Sequence, residues 1–125
     1  MEKVIAEGLA RLPSFSHAVE AGDFVYVSGT LGTVGDTMDL VEGGTGPETT
    51  QAIKNISRIL TASGLELRHV VKANVYLHDI ASFPEMNEAY VAEFGDTPPA
   101  RITVGGVDLA LGAAVEIDCV AYRGA

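Results

Sequence analysis

Apolar residues recur at helical spacing in two segments of the chain. The first runs from about Pro47 to Ser63, with Pro47 suited to a first helical position and Gly64 to a stop. Its apolar stripe contains Ala52, Ile53, Ile56, Ile59 and Leu60. The pattern therefore predicts one helix over this segment.

The second helical pattern covers Phe83 to Phe94. Its apolar positions Met86, Tyr90 and Phe94 recur every four residues. Ser82 and Glu85 have the S-x-x-E spacing of a capping box, and Gly95 can end the helix. This segment is predicted to be a second helix.

Other segments show the alternation of β-strands. From Val70 to His78, Val71, Ala73, Val75 and Leu77 share one face. Further strands are predicted at Phe24–Ser28, Arg101–Val104 and Ala114–Tyr122, with weaker signals at Val4–Glu7 and His17–Glu20. The stretch from Thr30 to Thr45 is rich in Gly, Asp and Thr and is predicted to be a loop.

The order of these elements predicts one α+β domain over residues 1–125. A mixed sheet with both helices packed on one face accommodates strands, helix, strand, helix and strands. The other face of the sheet would carry Phe24, Tyr26 and Val120 without a covering layer. Because an uncovered apolar face favours association, we expect a homo-oligomer.

The composition narrows the function classes. The chain has 125 residues, with 8 basic and 17 acidic side chains and a net charge of −9. Such a surface repels nucleic-acid backbones, so nucleic acid is not an expected partner. The N-terminal residues lack the apolar core of a signal peptide, and no apolar run is long enough for a membrane span. Cys119 is the only cysteine, so an internal disulfide is excluded. A cytoplasmic location is expected.

Arg101 and Thr103 are the first candidate site residues. Pro98 and Pro99 restrict the backbone that leads into Arg101, whose guanidinium fork can bind a carboxylate. Thr103 has the same strand parity as Arg101. From spacing alone, a surface arginine in a salt bridge is the simpler interpretation.

Glu116 is the second candidate, because it interrupts an apolar strand. Burial of a carboxylate raises its pKa and suits it to acid–base work. Asp118 has the same parity, so a strand with one wet face explains Glu116 equally well. A hairpin through residues 105–113 would place Thr103 near Glu116 and Arg101 near Asp118. This pairing predicts that Arg101, Thr103 and Glu116 line one small patch.

Other chemistries have weaker support. His17, His69 and His78 lack metal-ligand spacing, so no metal site is expected. Cys119 alternates with core positions, which favours a buried apolar role over a nucleophilic one. Ser28 lacks a nucleophile-elbow motif, and the glycines at 43–46 lack the Lys-Ser/Thr of a phosphate-binding loop.

Several segments in the same order resemble the reactive-intermediate deaminase (Rid/YjgF) family of imine and enamine deaminases. The strongest are Pro99-Ala100-Arg101 and Gly112-Ala113-Ala114-Val115-Glu116-Ile117-Asp118. Supporting segments are Ser16-His17-Ala18-Val19, Val25-Tyr26-Val27-Ser28-Gly29 and Met86-Asn87-Glu88-Ala89-Tyr90. The resemblance extends over nearly the whole chain.

This resemblance implies a chorismate-mutase-like (YjgF-type) fold that assembles into a trimeric barrel with sites between subunits. It implies hydrolysis of 2-aminoacrylate and related 2-imino acids to 2-keto acids and ammonia, without a cofactor. Arg101 would hold the substrate carboxylate, and Glu116 would position water and transfer a proton. Ser28, Gly29 and Asn87 would also line the substrate pocket.

Four positions depart from the family pattern. Phe15 replaces a tyrosine, Thr30 a frequent glutamine, Thr103 a frequent cysteine and Ala110 a proline. Phe15 and Thr30 change the polarity of the expected pocket, which leaves the substrate range open. Two alternatives therefore stay open: a module that binds small carboxylates without turnover, and a hydrolase of a different C–N bond.

Overall fold

The computed structural model describes residues 1–124, which form a mixed six-stranded sheet and two α-helices. The strands are β1 (Glu2–Val4), β2 (Ala18–Ala21), β3 (Phe24–Thr30), β4 (Val70–Leu77), β5 (Ala100–Val104) and β6 (Val115–Tyr122), and the helices are α1 (Thr45–Ala62) and α2 (Phe83–Phe94). The predicted α+β class is confirmed. The two weakly predicted strands also form, although β1 ends at Val4, where the prediction had it begin.

The ends of the two helices agree with the sequence prediction for α2 but not for the start of α1 or for the cap of α2. α2 has the predicted bounds, and Gly95 ends it with a φ of 59° that glycine adopts readily. The predicted capping box is wrong, because the Ser82 hydroxyl donates to the Asp79 carbonyl at 2.7 Å and gives α2 no side-chain cap. α1 begins at Thr45, two residues before the predicted start at Pro47.

The strand order is β1-β2-β3-β6-β4-β5. All neighbours are antiparallel except β4 and β5, which are parallel because α2 carries the chain back between them. The predicted hairpin of β5 with β6 is therefore wrong. After β5 the chain crosses the end of β4, where the Val107 N–H donates to the Leu77 carbonyl at 3.4 Å, and β6 pairs on the other side of β4.

Both helices cover one face of the sheet, and the hydrophobic core lies between the helices and that face. Its fully buried members include Val25, Ile53, Ile56, Leu60, Ala73, Val75, Leu77, Met86, Val115 and Ile117. Val71 was predicted to join them, but a register shift between Val70 and Lys72 leaves it exposed. Neither helix is long and apolar enough to cross a lipid bilayer.

The opposite face of the sheet, here called the open face, is uncovered as predicted. Tyr26 and Val120 are register partners on it, and Phe24 stacks on Tyr122 with ring centroids 5.1 Å apart. Ile102, on edge strand β5, is 52% exposed. The open face therefore presents aromatic and β-branched side chains that a monomer leaves in water.

Candidate active site

A bulge in β3 forms one wall of the candidate site. Val27 pairs with Cys119 and Thr30 with Ile117, so Ser28 and Gly29 together oppose the single residue between those partners. The Ser28 hydroxyl donates to the Ser16 carbonyl at 2.6 Å, which ties the bulge to the segment before β2. The bulge turns residues of β3 toward the neighbouring carboxylate of Glu116.

Gly29 allows the Glu116 carboxylate to lie directly against the backbone of β3. A Cβ atom at position 29 would overlap the Glu116 Oε2 atom. The start of β6 is fixed by Glu48 of α1, a buried residue whose Oε1 accepts the Ala114 N–H at 2.9 Å. The position of Glu116 thus depends on both α1 and the glycine.

The electrostatic surroundings of Glu116 favour its protonated form. Burial raises the pKa of the Glu116 carboxyl above its ordinary value, and the negative charge of Asp118 raises it further. Tyr76 is the register partner of Glu116 in β4, and burial followed by Asp118 raises the pKa of the Tyr76 phenol. The pKa of Glu116 is thus shifted in the direction that suits a carboxyl group to acid–base chemistry.

A pocket of about 230 Å³ adjoins Glu116. Among the predicted site residues it is lined by Phe15, Ser28, Gly29, Thr30 and Glu116. The Thr30 hydroxyl donates to the Ser28 carbonyl at 2.8 Å, so the Ser28 and Thr30 hydroxyls have both used their single proton and can only accept a hydrogen bond from a ligand. These five residues form the carboxylate half-site, named for Glu116.

Arg101 lies in a separate cluster, which we call the arginine half-site. Its guanidinium lies over the rings of Tyr90 and Phe83, at 4.6 and 5.3 Å from the centroids, and its Nη1 donates to the Asn87 Oδ1 at 2.8 Å. None of the ion pairs within residues 1–124 includes Arg101. The salt-bridge interpretation is therefore wrong, and the cation is held by neutral groups with donors left for an anion.

Two hydroxyl groups on the helix side of the sheet accompany this cluster. Thr103 follows Arg101 on the same face, and its Oγ1 is buried without a hydrogen-bond partner in the part of the chain described. The hydroxyl of Tyr90 is buried and unpaired within the same residues. Both hydroxyl groups can therefore donate a hydrogen bond without breaking one within the described chain.

The two half-sites lie on opposite faces of the sheet. Arg101 is the register partner of Ala73, which faces the helices, whereas Glu116 is the partner of Tyr76 on the open face. The predicted single patch of Arg101, Thr103 and Glu116 is therefore wrong for one protomer, because β4 lies between their strands. Within one protomer, Arg101 and Glu116 are therefore not placed to contact the same small ligand.

No group of three or more His, Cys, Asp and Glu side chains within residues 1–124 is placed to hold a metal ion. Cys119 is buried, and burial followed by the charge of Asp118 raises its thiol pKa to about 12. A thiol with that pKa is a poor nucleophile at neutral pH.

A family model described as endoribonuclease L-PSP matches residues 6–123. The chain belongs to this family, which is the Rid/YjgF family. The 2-iminobutanoate/2-iminopropanoate deaminase of Bos taurus is 38% identical over 119 residues, which are 95% of this chain and 87% of the relative. A RutC family protein of Pyrococcus horikoshii is 37% identical over 109 residues, 87% of this chain and 86% of the relative.

A solved structure of a relative has the same fold. The crystal structure of RidA from the Antarctic bacterium Psychrobacter sp. superimposes with a TM-score of 0.89 at 37% identity, covering 97% of this chain and 99% of that one. The predicted family and its YjgF-type, chorismate-mutase-like fold are thereby confirmed. The roles of the individual site residues stay predictions.

Sequence reasoning about this Rid/YjgF protein missed the aromatic support of Arg101. Phe83, Asn87 and Tyr90 are spaced by four and three residues, which places them on one face of α2. That spacing was available, but Tyr90 was assigned only to the apolar stripe. The mixture of two aromatic rings and an amide on one helix face is the signal that could have revealed the cluster.

We expect Gly29→Ala to reduce activity without unfolding the protein. Gly29 does not have a left-handed φ, so alanine brings no backbone strain, but its methyl group displaces the Glu116 carboxylate. A shift of this size in a reacting group lowers kcat by about 10²-fold. Gly46→Ala is the matched control, because position 46 offers space for a methyl group. Equal kcat values for the two variants would contradict the placement of Glu116 against Gly29.

Proposed function

We propose that this Rid/YjgF protein hydrolyses 2-imino acids, and their enamine tautomers, to 2-keto acids and ammonia. The observation that carries the proposal is the pair of half-sites: a guanidinium without a carboxylate partner, and a carboxyl group with a raised pKa. Relatives named 2-iminobutanoate/2-iminopropanoate deaminase, among them those of Bos taurus and Rattus norvegicus, support the same reaction.

Arg101 provides recognition of the substrate carboxylate. Its Nη1 is occupied by Asn87, and its stacking on Phe83 and Tyr90 fixes the plane of the guanidinium. A fixed plane directs the remaining N–H groups toward one bidentate carboxylate. Holding the carboxylate orients the imine carbon, which lowers the entropic part of the barrier.

Glu116 provides the proton transfers. Water adds to the C=N carbon while the Glu116 carboxylate takes one of its protons, and the resulting carboxylic acid returns a proton to nitrogen. Glu116 then takes the proton of the new hydroxyl group and passes it to nitrogen, so that the C–N bond breaks, ammonia leaves and the C=O bond of the 2-keto acid forms. One imine and one water thus give one keto acid and one ammonia. A carboxyl group whose pKa is raised toward neutrality serves both steps.

We further propose a homotrimer in which Arg101 of one protomer meets Glu116 of the next. The uncovered open face and the separation of the half-sites within one chain both support this assembly. Sedimentation equilibrium is expected to give about three times the chain mass of 13.1 kDa. A monomer at micromolar concentration would contradict both the trimer and the shared site.

The proposed activity is tested by generating the imine in place. An amino-acid oxidase supplies the 2-imino acid, semicarbazide captures what remains unhydrolysed, and keto acid and ammonia are measured with and without the protein. We expect acceleration of hydrolysis well above the uncatalysed rate. If no imino acid reacts faster with the protein than without it, the deaminase proposal is wrong.

The pH dependence offers a more specific test. Because activity requires ionised Glu116, and burial and Asp118 both raise its pKa, the rate should fall on acidification at a pH above the ordinary glutamate range. Asp118→Asn removes one negative charge and should move this acidic limb to lower pH. Asn74 donates to the Asp118 Oδ1 at 2.6 Å, a bond that an asparagine oxygen can still accept. An acidic limb unchanged in Asp118→Asn would contradict the assignment to Glu116.

One observation favours the binding-module alternative. The hydroxyl groups of Ser28 and Thr30 donate their protons to backbone carbonyls, so neither can donate a hydrogen bond to a substrate nitrogen or to a water molecule. In that case keto acids would bind saturably and binding would be lost in Arg101→Ala, while no imine would be hydrolysed faster.

Hydrolysis of a different C–N bond would be detected as ammonia release from amides or carbamates. An RNA substrate is disfavoured by the net charge of −9.

A further inference from the structure

The pocket beside Glu116 is lined mainly by apolar side chains. Its volume is about 230 Å³, and its apolar wall comprises Leu9, Leu12, Phe15, Leu31, Met38 and Leu111. An apolar cavity of about 150 Å³ can accommodate a benzene molecule. The pocket is therefore large enough for a branched aliphatic or aromatic group, far more than a methyl group requires.

The polar side chains in the wall are mostly engaged elsewhere. The buried His17 accepts the Ala6 N–H at its Nδ1, 2.8 Å away, and its Nε2 lies 3.0 Å from the Ala10 carbonyl oxygen. Asn55 donates to the carbonyl groups of Leu31 and Thr33 at 3.1 and 3.0 Å. Arg11 also lines the pocket, and its Nη1 donates to the carbonyl groups of Leu12 and Phe15 at 3.1 and 2.7 Å. Arg11 and Glu116 are therefore the two charged residues beside the apolar surface, and Glu116 is the one whose side chain makes no hydrogen bond within residues 1–124.

Leu111 has an unusual backbone conformation for its side chain. Its φ of 61° and ψ of 14° lie in the left-handed region, and it is the only residue other than glycine with a positive φ within residues 1–124. A branched side chain in this region is strained, and such strain concentrates at functional sites. Here the strained turn places a leucine, 50% exposed, in the wall of the pocket.

We propose that this pocket receives the substrate side chain, and that the protein prefers 2-imino acids with branched aliphatic or aromatic side chains over 2-iminopropanoate. The inference rests on the proposed function, since it assigns the remainder of a substrate whose imine carbon lies near Glu116. Phe15 contributes by offering a ring without a hydroxyl at this wall. Apolar contact with the wall is the recognition chemistry.

Substrate competition provides the test. Imines generated by an oxidase from leucine, phenylalanine and alanine are compared, with an expected kcat/KM at least about 10-fold higher for the two larger ones, because burial of several methylene groups discriminates to this extent. Leu111→Asn should lower that ratio about 5-fold, since asparagine tolerates the left-handed conformation but is polar. Val34→Asn, an exposed position outside the pocket wall, should leave the ratio unchanged.

The outcomes separate the two proposals. If imines are hydrolysed but the alanine-derived one is preferred, or Leu111→Asn leaves the ratio intact, the side-chain pocket is wrong and the deaminase stands. If no imine is hydrolysed, calorimetry replaces the kinetic comparison and measures the affinity of the protein for 4-methyl-2-oxopentanoate and for pyruvate. Binding of the larger keto acid at least about 10-fold tighter, weakened in Leu111→Asn, supports the pocket, and equal or weaker binding overturns it.

Discussion

Arg101→Ala is expected to lower kcat/KM for 2-imino acids by about 10²–10³-fold, because loss of one partner of a desolvated charge pair costs about 2–5 kcal/mol. The guanidinium has no carboxylate partner in the described chain, and it is stacked on Phe83 and Tyr90. Its charge is thus available to the substrate. Most of the loss should be in KM, since the carboxylate is held in both the ground state and the transition state.

Two further variants isolate the reason for that loss. Arg101→Lys keeps the charge but lacks the planar fork, so we expect an intermediate activity. Arg68→Ala is the matched control, because Arg68 forms an exposed pair with Glu66 that contributes little to stability. Thermal unfolding of each variant shows whether the packing between the two rings has been disturbed. Wild-type kinetics in folded Arg101→Ala would remove Arg101 from the site.

Glu116→Gln is expected to lower kcat by about 10²–10⁴-fold, the usual contribution of a general acid–base group. The same change should stabilise the folded protein at pH 8. Since burial raises the folded-state pKa of Glu116, the stability associated with its proton is present at low pH and is lost as the pH rises through that pKa. Above it, wild type carries a poorly solvated carboxylate that glutamine lacks.

The melting temperatures of wild type and Glu116→Gln, measured over a range of pH, test whether the variant gains stability while it loses activity. The variant should melt above wild type at pH 8, and the difference should shrink as the pH falls. Glu66→Gln, at an exposed position, should change neither kcat nor the dependence of the melting temperature on pH. A Glu116→Gln variant that is less stable than wild type at pH 8 would mean that the carboxylate is paired in the native protein.

Mixing the two inactive variants tests whether a site is shared. In random trimers of Arg101→Ala and Glu116→Gln chains, about one quarter of the interfaces join an intact arginine to an intact glutamate. Refolding the variants together should therefore restore about a quarter of the wild-type kcat/KM, while each variant alone stays about 10²-fold or more below wild type. No recovery in verified mixed trimers would place the site within single protomers, in conflict with the opposite faces of Arg101 and Glu116.

Local patterns in the sequence determined the elements of this protein. α2 has its predicted bounds because Met86, Tyr90 and Phe94 repeat at the helical period and Gly95 adopts a positive φ. The alternation in β4 and β6 predicted strands, and the surplus of apolar positions predicted an uncovered sheet face. Each of these signals depends on near neighbours in the chain. Arg101 and Glu116 were candidates from their chemistry and spacing, but spacing favoured a surface salt bridge for Arg101 and left Glu116 undecided. The family resemblance then favoured a functional role for both residues.

Long-range pairing was decided by the tertiary structure. Residues 105–113 contain a glycine-rich loop that suits a hairpin, but β5 gains a parallel partner in β4 through α2, and β6 pairs with both β3 and β4. The bulge at Ser28 and Gly29, the rings beneath Arg101 and the pocket around Leu111 all depend on contacts between distant segments. Register and side of pairing are set by the packing of the whole sheet against its helices, which no local pattern encodes.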